Sequence, residues 1–120
     1  MTVHDPKTVP EWDALFGAPL SPAQQEIAVR NREMTARLTW KPYMHNPRLA
    51  SFLPRVTNPA LILWGREDRI VPVECGEQYR RLLARATLNV LDKCGHLPPI
   101  EQPDEFARHV LDFLGGDVRR

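Results

Sequence analysis

Two side chains in this sequence have the types and the setting for a proton relay. Asp68 lies in Pro59-Ala-Leu-Ile-Leu-Trp-Gly-Arg-Glu-Asp68-Arg-Ile-Val-Pro72, just after an apolar run. His96 lies in Leu88-Asn-Val-Leu-Asp-Lys-Cys-Gly-His96-Leu-Pro-Pro-Ile-Glu101-Gln-Pro103, just after another. A carboxylate bonded to one ring nitrogen of an imidazole fixes its tautomer and stabilises its protonated form. The second nitrogen is then free to take a proton from a nucleophile or water. General base work of this kind contributes roughly 10²–10⁴ in rate. The chemistry that such a pair serves is acyl transfer or a related hydrolysis. Its nucleophile is not evident: neither serine, Ser21 or Ser51, sits in a Gly-x-Ser-x-Gly elbow.

The elements that must position the pair follow from the pattern. Ala60–Trp64 is an unbroken apolar run, as expected of a parallel strand covered on both faces. Pro72 opens a helix running to about Ala84. Cys75, Tyr79, Leu82 and Leu83 form its inner face, with Glu74, Glu77, Arg80 and Arg81 outside. Thr87–Leu91 is the second strand. Pro103 opens the last helix, with Asp104 and Glu105 in its positive first turn. Phe106, Val110, Phe113 and Leu114 form its buried face, and Gly115-Gly116 is its expected stop. Strand, helix, strand, helix predicts a right-handed parallel crossover, an α/β arrangement whose ligands bind beyond the carboxyl ends of the strands. Neighbouring strand ends are ~5 Å apart, so Asp68 in one loop can reach His96 in the next. Gly95 keeps the turn before the histidine uncrowded.

Ahead of about residue 55 the pattern is helical and broken by proline. Residues 10–17 read as a short helix with Pro10 in its first turn and Gly17 at its stop. Ser21-Pro22-Ala23-Gln24 is a capping box and starts a longer helix ending near Leu38–Trp40, before Pro42. Ala23, Ile27, Met34 and Leu38 share one face, but Arg30 and Asn31 interrupt it. Such a helix lies on a surface or over a cleft. A turn around Pro47–Leu53 follows.

The chain has 120 residues, with 16 basic and 15 acidic side chains in mixed order. One small domain, or part of a larger one, is the expectation. The balanced charge points away from nucleic acid and from a polybasic membrane patch. No apolar stretch is long enough to span a bilayer, and Arg119 and Arg120 alone alter nothing. The N-terminus has no apolar core of a signal peptide. Cys75 and Cys94 form no disulfide framework, so a reducing cytoplasm is the expected compartment.

Gly65-Arg-Glu-Asp68-Arg-Ile-Val-Pro72 followed by Gly95-His96-Leu-Pro-Pro-Ile-Glu101-Gln-Pro103 resembles the C-terminal part of an alpha/beta-hydrolase-fold enzyme. The resemblance is specific over about residues 55–114. It implies that Asp68 is the triad acid and His96 the triad histidine. It implies that residues 1–55 are a helical lid segment and 56–120 the C-terminal βαβα part of the core. No metal or organic cofactor is implied. The substrate would be a small, mostly apolar molecule, cleaved at an ester, amide or carbon–carbon bond. The family's nucleophile (Ser, Asp or Cys) and oxyanion loop lie earlier in its chains and have no counterpart here. A complementary N-terminal half or self-association is therefore an expected partner. The alternative is an inactive fragment or interaction module that docks on another chain.

Rival readings of single residues are plain. Glu67 is an acid beside Asp68, but the glycine-to-acid spacing favours Asp68. Cys94 adjoins Gly95-His96, yet neighbours on an extended loop point apart. Cys75 suits a buried helix face. His4, His45 and His109 lack metal-ligand spacing and read as surface or packing residues. Glu101 matches a position that the family often keeps, and also reads simply as a charge near the start of the last helix. Arg69, Ile70 and Val71 line a pocket mouth or fill a turn. Trp12, Phe16, Met34 and Trp40 form a lid underside or pack individually.

Overall fold

The computed structural model describes residues 3–9, 12–40 and 46–117. Pro10, Pro42, His45, Arg119 and Arg120, which enter the sequence reading, lie outside the described residues. Contacts divide the chain into two units, Glu11–Leu49 and Met1–Pro10 with Ala50–Arg120.

In the first unit a π-helical turn spans Asp13–Gly17. The ring of Trp12 sits 4.5 Å from that of Phe16, centroid to centroid. Helix α1 spans Pro22–Thr39. Its start is the capping box read from the sequence: Gln24 N–H donates to Ser21 Oγ and Ser21 N–H to Gln24 Oε1. Glu26–Arg30 and Glu33–Arg37 pairs, each at 2.6 Å, lie along its solvent side and add a few tenths of a kcal/mol apiece. Ile27, Met34 and Leu38 are all exposed, as an interrupted apolar stripe leads one to expect. Helix α2 spans Leu49–Phe52, and a 3₁₀ turn over Leu53–Arg55 follows it in the second unit.

The second unit carries the sheet. Strand β1 (Ala60–Gly65) and strand β2 (Ala86–Leu91) pair in parallel, from Ala60 opposite Ala86 to Gly65 opposite Leu91. Both strands therefore end level, and the loops after them leave the sheet side by side. Helix α3 (Val73–Leu82) makes the crossover and packs on both strands. Its closest approach is at Gly76, where a Cβ would stand 3.0 Å from the Trp64 ring. Cys75, Tyr79, Leu82 and Leu83 are half-buried. Helix α4 (Pro98–Glu101) and helix α5 (Pro103–Asp117) both contact β1. The described residues form a two-stranded part of an α/β sheet fold.

Four local expectations change. The short helix α4 stands where the pattern predicts no element between the second strand and the last helix, and it opens on two prolines. Proline is nevertheless at home in a first turn, where its missing N–H would have no partner. Gly115-Gly116 does not stop α5, which runs on to Asp117. Leu114 is 57% exposed rather than buried, while Phe106, Val110 and Phe113 are half-buried. Strand β1 is half-buried along Ala60–Trp64 instead of enclosed on both faces. The most enclosed side chains are Leu91 and Cys94. The tightest packing thus lies at the carboxyl end of the sheet, under the two loops.

Candidate active site

The loop after β1 is a turn built around one carboxylate. Asp68 Oδ1 accepts from the N–H groups of Ile70 (2.8 Å) and Val71 (3.0 Å), an Asx-type turn. Trp64 Nε1 donates to Val71 O at 3.1 Å and ties the far side of the turn to the strand. With Oδ1 so held, Oδ2 lies 2.8 Å from His96 Nδ1. The Asp68 side chain is 5% exposed and that of His96 38%. The carboxylate is thus shielded while the imidazole remains accessible. Burial pushes the Asp68 pKa up, but the bonds from Val71, His96 and Ile70 outweigh it, and the net shift is down. An ionised Asp68 therefore accepts the proton on Nδ1, and Nε2 is the nitrogen available for acid–base work.

The two loops are stitched together below this pair. Arg66 N–H donates to Leu91 O and Glu67 N–H to Cys94 O, both at 2.9 Å. The Glu67 carboxylate returns the bond, taking Cys94 N–H at 2.9 Å, and Arg66 pairs with Asp92. The rival acid Glu67 is thus committed to the loop backbone. Gly65 allows the stitching: a Cβ there would fall 2.0 Å from Gly95 O and 2.4 Å from Cys94 O. No real side chain tolerates such distances, so the close approach depends on glycine at this position.

Cys94 is fully enclosed, and burial, followed by the charges of Glu101, Glu67, Glu105 and Asp68, pushes its thiol up to about 12. It is a structural thiol, not a nucleophile. Ile70 is exposed and Arg69 lies on the surface, whereas Val71 is half-buried. His4 is exposed, and His109 is half-buried on α5 beside Arg108 and Glu105. Among the described residues no group of three His, Cys, Asp or Glu is arranged to hold a metal ion.

A cleft of about 190 Å³ opens at the pair, lined by Leu63, Trp64, Gly65, Asp68, Val71, His96 and Pro98. A shielded carboxylate, an accessible imidazole and an apolar cleft at the carboxyl ends of parallel strands are the parts of a general base site. A family profile described as alpha/beta hydrolase fold matches residues 16–103, well over half of the chain. The chain belongs to the alpha/beta hydrolase fold family. Among alpha/beta hydrolases, it is 43% identical over 70 residues to a 2-hydroxy-6-oxononadienedioate/2-hydroxy-6-oxononatrienedioate hydrolase of Dechloromonas aromatica (strain RCB). That match covers 58% of this chain and 23% of the relative. An uncharacterized hydrolase of Bacillus subtilis (strain 168), YugF, is 42% identical over 62 residues, 52% of this chain and 23% of the relative. The solved 2-hydroxy-6-oxo-6-phenylhexa-2,4-dienoate hydrolase of Rhodococcus sp. strain RHA1 superimposes with a TM-score of 0.73 at 25% identity. It is covered over 41% of its length by 95% of this chain. The chain thus spans under half the length of these hydrolases.

Sequence reasoning missed one participant. Glu101 matches a position that the family often keeps and also reads as a charge near a helix start, neither of which tells that it is 7% exposed and that its carboxylate accepts three backbone N–H bonds. Its distance of five residues from His96 was visible. The convergence of N–H groups on it was not.

Proposed function

We propose that this chain supplies the acid and the histidine of a nucleophile–histidine–aspartate hydrolase acting on a small, mostly apolar molecule. His96 takes the nucleophile's proton at Nε2 as the nucleophile attacks an electrophilic carbon. It then hands that proton to the leaving group as the ester, amide or carbon–carbon bond breaks. A water molecule repeats the sequence to free the enzyme. Asp68 holds Nδ1–H throughout and stabilises the imidazolium. The observation that carries the reading is the 2.8 Å contact between His96 Nδ1 and an Asp68 carboxylate whose other oxygen is fixed by two backbone N–H groups.

The nucleophile and oxyanion donors then come from residues other than these 120, in a complementary half or a longer protein. Of the segment 1–55 read as a lid, the helical unit Glu11–Leu49 takes that part, while Met1–Pro10 and the residues from Ala50 belong to the sheet unit. Exposed Phe52, Val56, Leu111 and Leu114 on the sheet unit are apolar surface for such a complement or for a second copy. The names of the relatives make a 2-hydroxy-6-oxo-dienoic acid the first substrate to try. A reducing cytoplasm fits two unpaired cysteines. No helix among the described residues is long and apolar enough to cross a membrane.

The test is a graft. Residues 56–120 replace the aligned stretch of the Dechloromonas aromatica hydrolase, and loss of 2-hydroxy-6-oxononadienedioate is followed by absorbance. The expected result is turnover that falls at least about 10³-fold with His96→Ala. A folded graft that is inactive, or one indifferent to His96→Ala, defeats the proposal. Reading the frame upstream of Met1 for a nucleophile elbow is the genetic counterpart.

A further inference from the structure

We infer that Glu101 is the positioning residue for His96, and that the segment Val3–Val9 is bound into the same clamp. Glu101 Oε1 accepts from Leu97 N–H at 2.9 Å. Its Oε2 accepts from Gly95 N–H at 2.8 Å and from His4 N–H at 2.6 Å. Gly95 and Leu97 are the residues on either side of His96. One buried carboxylate therefore grips the loop before and after the histidine. The grip is reciprocal, because Glu101 N–H itself donates to Leu97 O at 2.9 Å, so α4 and the histidine loop are locked as one piece. The side chain reaches back to the N–H of the residue capping its own helix, a variation on the capping box.

The carboxylate has little other function. It makes no ion pair among the described residues, and Glu101 is 7% exposed. An ionised group is expensive to bury unless its hydrogen bonds are made, and here three donors meet it. The third donor comes from 97 residues away. Val3 and Val9, at the two ends of that segment, are buried at 3% and 5% exposure. The segment also carries its own 3₁₀ turn over Pro6–Thr8, capped by Asp5. It is thus a docked strap, anchored by the residue that holds the histidine loop.

The inference gains its meaning from the reading of His96 as the base, but its test needs no turnover. In the full chain, hydrogen exchange by mass spectrometry compares the peptide around Asp92–Gln102 with the two strands. Nitrogen-detected NMR follows the His96 Nδ1–H. With Glu101→Gln one oxygen becomes an NH₂ that cannot accept, so at least one of the three donors loses its partner. Exchange at Gly95 and Leu97 should accelerate at least about tenfold, as loss of one such bond predicts. The Nδ1–H resonance should broaden or vanish while β1 and β2 stay protected. His4→Pro removes the strap's donor, together with the imidazole and the freedom of φ at position 4, and leaves Glu101 itself intact. It should free Val3–Val9 and leave the His96 signal in place. If Glu101→Gln also loses strand protection, Glu101→Asp decides, since it keeps the charge and withdraws the carboxylate by one methylene. An unchanged Nδ1–H resonance and His96 titration in the folded Gln or Asp variant overturns the positioning role. An unchanged Val3–Val9 exchange in His4→Pro overturns the strap. Neither outcome bears on whether His96 is a base, which the graft decides.

Discussion

Replacing Asp68 with asparagine separates chemistry from architecture, and the geometry says how. The oxygen of Asn can keep the place of Oδ1 and the bonds from Ile70 and Val71. Its NH₂ then takes the place of Oδ2, 2.8 Å from His96 Nδ1. An NH₂ cannot accept, so Nδ1 must present its lone pair and the ring proton must move to Nε2. The alternative is to flip the amide. That would set an NH₂ against two backbone N–H groups, at about 1–3 kcal/mol for each donor left unpaired. The tautomer therefore yields before the turn does. Nε2, now protonated, cannot act as the base. The same change in a serine protease triad lowers kcat about 10⁴-fold, which is about 5.4 kcal/mol of barrier. Stability should change far less, by about 1 kcal/mol, since only a charge-assisted bond is weakened. In the grafted enzyme, Asp68→Asn should thus lose about 10⁴ in kcat while stability near neutral pH falls by only about 1 kcal/mol. Nitrogen NMR of the chain above the imidazole titration should find the proton on Nε2 in the variant and on Nδ1 in the parent. Retention of turnover within about tenfold, with the tautomer switched, would show that the Asp68–His96 contact does not serve catalysis.

Gly65→Ala should destabilise the sheet unit by about 3 kcal/mol or more, because the loops must part and surrender the Arg66–Leu91 and Glu67–Cys94 bonds; a urea midpoint equal to the parent's would contradict the close approach. Because the Asp68 pKa is depressed from 3.8, its contribution to stability is complete above that value and fades as pH falls through the lower folded value. Unfolding midpoints of parent and Asp68→Asn should differ at pH 6 and converge at the acid end; a constant difference down to pH 2 would count against an ionised, hydrogen-bonded Asp68. Cys94, with its thiol pushed up to about 12, holds about 10⁻⁴ of itself as thiolate at pH 8. A disulfide reagent should titrate Cys75 in the native chain and Cys94 only on unfolding, and two equally fast native thiols would refute the enclosure of Cys94.

What could be read from the sequence and what could not divide along a physical line. Local signals were legible. The Ser21–Gln24 box, the run Ala60–Trp64, and the position of Asp68 and His96 after consecutive strands each depend on neighbours within a few residues. Parallel pairing with level strand ends then brought the two loops together with no further information. The misses share a different cause. Helix α4 is too short for periodicity to register and begins with two prolines. The continuation of α5 past Gly115 costs about 1 kcal/mol per glycine against alanine, a preference that tertiary context readily overrides. The demand for glycine at 65 comes from carbonyls about thirty residues away, and the role of Glu101 from N–H groups that converge only after both loops are folded. A sequence shows which residues can bear charge or bend. It does not show which backbone donors will be left facing inward when a loop closes. At this sheet end Glu67 and Glu101 both answer that need, taking Cys94, Gly95 and Leu97 N–H in turn. Three consecutive acids in space, Glu67, Asp68 and Glu101, thus divide the labour. All three hold backbone N–H groups, and Asp68 alone also meets the imidazole. An acid chosen by residue type alone would be ambiguous among the three. The 2.8 Å contact of its second oxygen with Nδ1 singles out Asp68.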